Sequence, residues 1–221
     1  MVPDVGGSYF LSRTHEDSAI GRYLAVTGAI INAADACRWR LADAMVAQSV
    51  WPHLTRALID CAEPTLAGLR AVVEAFARND LYPAFEPMSE FESLILEVFN
   101  ERHDVGEITT CLQRISAEDS ASGRWAANVL AQIGYNSPIA MRLALYHQQM
   151  GRSMSLADCL RLEFNGISNL LRLGEASEGI RAKIVVKDGA PNWHTVDVER
   201  TFERLKVSPY PANQHPLLEL H

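Results

Sequence analysis

The amino-acid sequence predicts a mostly α-helical protein, and two observations support this prediction. Apolar residues recur at three- and four-residue spacing along much of the chain, and residues that favour helix starts precede several of these stretches. Evidence for strands is thin, because only residues 43–50 could hold one short strand. With 221 residues, 48% of them hydrophobic and 21% charged, the chain has the composition of a globular protein with a sizeable core.

The helix with the clearest ends is predicted to begin after Ser137 and to end at Gly151. The Ser137 hydroxyl can accept hydrogen bonds from the free N–H groups of a first turn, and Pro138 suits that turn. Gly151 can end the helix because it adopts positive φ without strain. Ser155 with Asp158 begins a second helix in the same way, and an apolar stripe follows it.

Ser89 with Glu92 and Asp104 with Glu107 mark two more helix starts, since a capping residue is followed three positions later by an acid. Other helices are predicted over residues 17–27, 33–42, 52–61, 65–78, 119–133 and 176–187.

Prolines mark two segments outside these helices. Pro83 and Pro87 predict a loop over residues 79–89. Three further prolines predict an extended tail over residues 206–221.

Charge and cysteine usage exclude several classes of function. The net charge of −7, without a block of Lys and Arg, argues against nucleic-acid binding. No apolar run approaches the ~20 residues of a membrane helix, so no membrane partner is expected. The four cysteines form no C-x-x-C pair and the seven histidines have no metal spacing, so the sequence predicts reduced, buried thiols and no metal site.

These patterns leave the activity open, but several separated motifs resemble one known family. Residues 3–13 (PDVGGSYFLSR) are similar to the segment that follows the catalytic glutamate in 3-hydroxyisobutyryl-CoA hydrolases. These enzymes are members of the crotonase (enoyl-CoA hydratase/isomerase) superfamily. The other matches follow in the family's order: 24–28, 34–36, 41–43, 136–138, 178–182 (EGIRA), and Lys187-Asp188 with Pro191 and Trp193.

Two segments depart from the family's pattern. Residues 37–40 replace a small, glycine-containing stretch, and Gly174-Glu175-Ala176-Ser177 stands where the family typically has His-Asp-Phe-Tyr.

The resemblance implies a fold. The chain is expected to be the C-terminal helical region of a crotonase (ClpP/crotonase-like) fold, with little residual β-structure. Residues 1–50 would be the end of the crotonase core with the Asp4 motif, residues 51–205 the helical C-terminal region, and residues 206–221 the extended tail.

The resemblance also implies a reaction, the hydrolysis of 3-hydroxyisobutyryl-CoA in valine breakdown, with an acyl-CoA substrate and no metal or redox cofactor. In the family a glutamate acts near the thioester carbonyl, and an aspartate eight residues later helps to orient and activate the attacking group. Asp4 matches that catalytic aspartate. Counting back eight positions falls before Met1, so we expect the glutamate and the N–H groups of the oxyanion hole to be missing, and the chain alone to be weakly active or inactive.

Asp4 also separates the hydrolases from enoyl-CoA hydratases, which usually carry glycine at this position. The alternative for Asp4 is that it only caps the helix that starts near Gly6. For Glu178 and Arg181, spaced like neighbours on a helix, an ordinary ion pair or structural anchor is favoured over a catalytic role.

Two other hypotheses stay open. One is an enoyl-CoA hydratase or isomerase reaction in the same superfamily. The other is a non-catalytic helical oligomerisation or interaction module, because helices without their β-core would expose apolar faces and self-associate. The resemblance implies a cytoplasmic location in a bacterium and the mitochondrial matrix in a eukaryote.

Overall fold

The regular structure of the chain is helical throughout the part that a computed structural model describes, which is residues 2–14, 18–78, 88–101, 104–194 and 197–220. The α-helices within these residues are α1 Gly7–Leu11, α2 Ala19–Thr27, α3 Ala33–Arg38, α4 Trp51–Ile59, α5 Leu66–Phe76, α6 Glu92–Val98, α7 Val105–Ser116, α8 Ala121–Gly134, α9 Pro138–Gly151, α10 Leu156–Leu173, α11 Glu175–Ile180 and α12 Val198–Leu205. Short 3₁₀ turns cover Gln48–Val50, Met88–Phe91 and Ala212–Gln214, and a π-helical turn covers Arg181–Val185.

Most of the caps predicted from the sequence are confirmed, but the helix start predicted at Ser89 with Glu92 is wrong, because Ser89 lies in the 3₁₀ turn Met88–Phe91 and α6 begins at Glu92 without a side-chain cap. The Ser137 hydroxyl accepts the Ala140 N–H at 3.2 Å and begins α9. Asp104 and Glu107 form a reciprocal capping box at the start of α7, with bonds of 2.9 and 2.7 Å. Helix α9 ends at Gly151, as predicted, but Gly151 does not adopt positive φ, so the predicted reason for this end is wrong. The spacing of apolar residues, together with local capping, was therefore sufficient to locate these helices.

The strand that the sequence allowed over residues 43–50 does not form. The segment is irregular up to the 3₁₀ turn at Gln48–Val50, and Met45 offers its carbonyl oxygen only to the Arg78 N–H, at 2.9 Å. A strand is stabilised by a neighbouring strand, and among the described residues there is none for it to pair with.

The prediction of an extended tail is also wrong for the described part of residues 206–221. This segment folds into the 3₁₀ turn Ala212–Gln214 and further turns. The Arg161 side chain of α10 donates to the carbonyl oxygens of Leu217 and Leu218, at 3.0 and 3.2 Å. Contacts with α10 thus provide the partners that an isolated, proline-rich tail would lack. Of the predicted loop over 79–89, residues 79–87 lie outside the described residues.

Two compact units share the chain, and their boundaries differ from the sequence division at residues 50 and 205. One unit joins residues 1–29 with 91–221, and the other consists of residues 30–90. The assignment of segments to the crotonase core and to its helical region stays a prediction.

The larger unit is built around α2 and α9, which pack against each other. Every residue of α2 is buried, because this helix has neighbours on several sides. A core cluster combines Val2, residues of α2, α9 and α10, and Phe202 and Leu205 of α12. Helices α7 and α8 form a second packed pair.

In the smaller unit, α4 packs against α5. The Asn32 side chain caps α3 by accepting the Asp35 N–H at 2.8 Å, and Thr65 caps α5 by accepting the Gly68 N–H at 3.1 Å. Within the described ranges of the whole chain, no helix combines the length and the apolarity that crossing a membrane requires.

Candidate functional site

The segment that carries Asp4 makes a left-handed turn immediately before α1. Val5 has φ of 48° and Gly6 has φ of 91°. Glycine adopts such angles freely, whereas valine does so only under constraint. Gly6 occupies the N-cap position of α1 without a side-chain cap, and Asp4 contributes only its carbonyl oxygen, which accepts the Gly7 N–H at 2.8 Å. The alternative that Asp4 merely caps this helix is therefore wrong, and its side chain is exposed.

Glu163 of α10 holds this turn in place. Its carboxylate accepts the Gly6 N–H at 2.8 Å, the Ser8 N–H at 2.6 Å and the Ser8 hydroxyl at 2.5 Å. Both Glu163 and Ser8 are buried, at 3% and 0% exposure. Hydrogen bonds to a buried carboxylate are strong because the surroundings screen them poorly. This contact offsets the strain of the left-handed turn and so fixes the backbone next to Asp4.

Arg13 anchors the other end of the same motif. Its guanidinium donates to the carbonyl oxygens of Gly151 and Met154, at 2.8 and 2.9 Å, and lies 3.8 Å from the ring centroid of Tyr9. Gly151 is required here, since a Cβ at this position would lie 2.3 Å from the Ser8 carbonyl oxygen. The motif that identifies the family is thus a tightly packed element of the structure.

Asp4 lies at the wall of a cavity of about 520 Å³ in the larger unit. The wall also includes the start of α9, Ile167 and Leu170 of α10, α11 with the π-helical turn, and residues 189–193. Most of these residues are apolar, and the charged ones are Asp4, Glu175 and Lys183. A mostly apolar cavity of this size with a few polar groups is typical of a small-molecule binding site.

Glu175, the first residue of α11, is the buried charge in this wall, and its side chain is 2% exposed. Its Oε1 atom accepts the His194 N–H at 3.0 Å and lies 3.4 Å from Nδ1 of the His194 ring. Its Oε2 atom is enclosed and has no hydrogen-bond partner in the described part of the chain. An enclosed carboxylate oxygen without a partner is costly, so this atom is a candidate for ligand contact.

Arg181 binds acids in two segments of the cavity wall region, α11 and the residues that follow the π-helical turn. It forms a two-pronged pair with Glu178, with both bonds at 2.8 Å, and donates to the Asp188 carboxylate at 2.7 Å. The Glu178 carboxylate also accepts the Asn192 N–H at 2.7 Å. The ion pair expected between Glu178 and Arg181 is confirmed. Because Arg181 also binds Asp188 and Glu178 also binds Asn192, this ion pair joins α11 to the segment 188–192, which continues into the cavity wall.

This pair persists over a wide range of pH. The hydrogen bonds from Arg181, followed by that from the Asn192 N–H, lower the pKa of Glu178 to about 2. Arg181 likewise lowers the pKa of Asp188. Both groups therefore remain charged through the mildly acidic range, and the wall segment stays attached there.

The π-helical turn lies in the same wall. The Val186 N–H donates to the Arg181 carbonyl oxygen at 2.8 Å, which is the five-residue spacing of a π-helix. Such turns are frequent at functional sites. This one places Lys183 and Ile184 at the cavity, and the Trp193 indole N–H donates to the Tyr135 carbonyl oxygen across the wall at 3.0 Å.

Sequence reasoning found Asp4 but missed Glu163 and Glu175. A signal for Glu163 existed, because it lies seven residues after Leu156 and four before Ile167, within the apolar stripe of α10. An acid at a stripe position is almost never buried unless it is paired. No such signal marked Glu175, whose burial depends on contacts from distant segments.

The remaining candidates are structural. His147 is fully buried within α9, and Trp125 is a core residue that stacks on Phe91 with ring centroids 5.6 Å apart. All four cysteines are free, but only Cys159 is buried, so the prediction of buried thiols is wrong for Cys37, Cys61 and Cys111. The polar neighbours of His15 and His103 in the sequence predict solvated side chains, but both residues lie outside the described ranges.

Comparison with known proteins places this site in context. The chain is 29% identical to 3-hydroxyisobutyryl-CoA hydrolase 1 of Arabidopsis thaliana, over 93% of the chain and 56% of that relative. It is 30% identical to the small ribosomal subunit protein mS47 of the same plant, over 86% of the chain and 46% of that protein. The chain thus spans about half the length of these relatives.

A solved structure of a carnitinyl-CoA dehydratase from Mycobacterium thermoresistibile superposes with a TM-score of 0.71 and 30% identity, over 100% of this chain and 59% of that one. The sequence profile of the enoyl-CoA hydratase/isomerase family matches residues 1–206. Because this match covers nearly the whole chain, and the helical fold agrees, the chain belongs to the enoyl-CoA hydratase/isomerase family, as its separated motifs predicted.

Proposed function

We propose that this chain carries the acyl-binding cavity and the catalytic aspartate of a CoA-thioester hydrolase that acts on 3-hydroxyisobutyryl-CoA in valine breakdown. The observation that supports this proposal best is the position of Asp4, whose carboxylate lies at the wall of an apolar cavity. Similarity to the hydrolase of Arabidopsis supports the choice of reaction. The reaction needs water and the acyl-CoA substrate, and no metal or redox cofactor.

In this proposal, the apolar wall binds the acyl group and excludes water from it, while the Asp4 carboxylate orients and activates the attacking group. The C–S bond of the thioester breaks, water supplies the oxygen and the proton, and the products are a carboxylic acid and the CoA thiol. The family's glutamate and the oxyanion-hole N–H groups would come from the segment upstream of the Asp4 motif. Full activity therefore requires that segment.

A first alternative is hydration or dehydration of an acyl-CoA without hydrolysis. The similar solved structure is named a carnitinyl-CoA dehydratase, and its identity to this chain is about that of the hydrolase. Asp4 favours hydrolysis, since hydratases of the family usually carry glycine there. Release of free thiol from 3-hydroxyisobutyryl-CoA, measured beside loss of the crotonyl-CoA double bond, separates the two reactions.

A second alternative is a non-catalytic interaction module. One relative at 30% identity is named as a ribosomal subunit protein and not as an enzyme. Ile184, Val185 and Val186 form a consecutive exposed apolar row, with exposures of 61%, 71% and 56%. Such a row suits contact with another protein surface. If thioester hydrolysis is absent even in a form extended upstream, this alternative gains support.

The hydrolase proposal predicts the effect of Asp4→Asn. Because this change removes the carboxylate and keeps its size, we expect thiol release to fall by about 10²–10⁴-fold while the fold is retained. The assay compares Asp4→Asn with the unmodified protein, both in the chain and in a form extended upstream. Asp60→Asn, at an exposed acid that directly follows α4, is the control. Equal rates for Asp4→Asn and the unmodified protein would contradict the proposed role.

A further inference from the structure

We propose that Glu175 determines the substrate class of this cavity, by accepting a hydrogen bond from a hydroxyl group on the bound acyl chain. The inference rests on the proposed function, because it concerns the same cavity and the same class of acyl-CoA ligand. It adds a specificity residue to a site for which the sequence supplied only Asp4.

The first step concerns the burial and the hydrogen-bond partners of the Glu175 carboxylate. Glu175 is 3% exposed, and His194 provides the partner of one oxygen only, through its backbone N–H at 3.0 Å. The second oxygen, Oε2, has no partner among the described residues. A buried carboxylate oxygen normally accepts at least one hydrogen bond, so Oε2 lacks a donor that a bound ligand can supply.

The second step is where that missing donor can come from. Glu175 is part of the cavity wall, whose other members are largely apolar. The other carboxylate of the wall is that of Asp4, to which the proposed function assigns the attacking group. Gly179 lies four residues after Glu175 on α11 and is also in the wall, as is Ala176. The Trp193 ring packs against Gly179, since a Cβ on this glycine would lie 3.2 Å from it. A ligand hydroxyl that reaches Oε2 from the cavity would restore the missing bond.

The third step is selectivity. A site built around a buried acceptor rejects a ligand that lacks the donor, because the acceptor then stays without a partner. A hydrogen bond to a charged group in dry surroundings corresponds to roughly a 10–100-fold preference in affinity. Glu175 stands where the family's His-Asp-Phe-Tyr pattern has Asp, so an acid is retained at this position of the wall, whereas the neighbouring Ala176 replaces the larger Phe.

The test compares two non-hydrolysable ligands that differ by one hydroxyl group, the analogues of 3-hydroxyisobutyryl-CoA and isobutyryl-CoA in which a methylene group replaces the thioester sulfur. Calorimetric titration of the chain should show tighter binding of the hydroxylated analogue by roughly 10–100-fold. Equal affinities, or no binding of either analogue, would overturn the inference.

Two variants assign the preference to Glu175. Glu175→Met keeps the volume and removes the acceptor, so the two affinities should become nearly equal. Glu175→Gln retains an oxygen for the His194 N–H and replaces the charge with a neutral amide, so the preference should fall by about tenfold even if the Met variant does not fold. The control Glu199→Gln removes an exposed acid of α12 and should leave the preference unchanged. If Glu175→Gln keeps the full preference, or if Glu199→Gln loses as much, the inference fails.

These outcomes separate the inference from the proposed reaction. The analogues cannot be hydrolysed, so their affinities report on Glu175 whether or not the chain is catalytically active. Hydroxyl preference without hydrolysis would keep the inference and overturn the hydrolase function. Hydrolysis without hydroxyl preference would do the reverse.

Discussion

At the scale of single residues, His147 is a costly group in the core of the larger unit. It is 0% exposed, and neither ring nitrogen has a hydrogen-bond partner in the described ranges. The ring is closely packed, since a Cβ on Gly166 would lie 2.7 Å from its Cε1 atom. Burial lowers the pKa of His147 from 6.5 to about 4, because the charged form cannot be solvated there.

This pKa predicts how the stability of the protein depends on pH. Between pH 6.5 and about 4 the unfolded chain binds a proton at His147 that the folded chain does not, so the free energy of unfolding decreases as pH falls through this range. The total loss from this group is roughly 3 kcal/mol. Urea denaturation at several pH values should show a weaker pH dependence for His147→Leu than for the unmodified protein.

His53→Leu is the matched control, because His53 is exposed on α4. The His53→Leu variant should show the same pH dependence of the free energy of unfolding as the unmodified protein. A His147→Leu variant with the same loss of stability on acidification as the unmodified protein would show that His147 is not the group responsible.

At the scale of helices, α1 is too short to be stable alone, and its position depends on α10. A helix of five residues gains little from its own hydrogen bonds. Glu163 satisfies two N–H groups at its start that no residue of the helix can reach. The pairing joins residues 155 and 157 positions apart in the chain, so it closes a long loop.

We therefore expect Glu163→Gln to destabilise the protein by about 2 kcal/mol or more, because the amide presents a donor to one of the N–H groups and removes the charge. Denaturant unfolding measures this loss, and hydrogen exchange should be faster at the Gly6 and Ser8 amides. Glu203→Gln is the control, since it removes an exposed acid from α12 of the same unit. If the two variants lose equal stability, Glu163 does not anchor α1.

At the scale of the whole molecule, the main feature is an exposed apolar surface on a chain that spans about half the length of its relatives. Ile184, Val185 and Val186 are consecutive and more than half exposed, and they follow directly from a wall of the cavity. Monomeric proteins seldom leave such rows uncovered. A second copy of the chain is the partner that is always present in a purified sample.

Self-association is accordingly predicted for the purified chain. Light scattering over a wide range of concentrations should show a mass that increases with concentration. The double change Val185→Lys and Val186→Lys should shift the sample towards monomer, because it places two charges in the contact. Val207→Lys, an exposed valine outside this row, serves as the control. A clean monomer at every concentration would contradict the prediction.

Local sequence patterns predicted most of the helices and the family, and they named Asp4 as a candidate site residue. Capping residues act within a few positions, so Ser137 and Asp104 revealed the starts of α9 and α7 directly. The motif around Asp4 was recognisable because its glycines and Arg13 occur in a fixed order. Only the tertiary structure decided that residues 43–50 form no strand and that the tail is turned, since both depend on which partners lie nearby.

Tertiary structure also decided which acids belong to the site. Glu163 and Glu175 look like ordinary helix residues in the sequence, yet one supports the Asp4 turn and the other has an oxygen without a partner in the cavity wall. Their roles arise from contacts between segments far apart in the chain, and burial in three dimensions has no local sequence pattern when the neighbours come from distant positions.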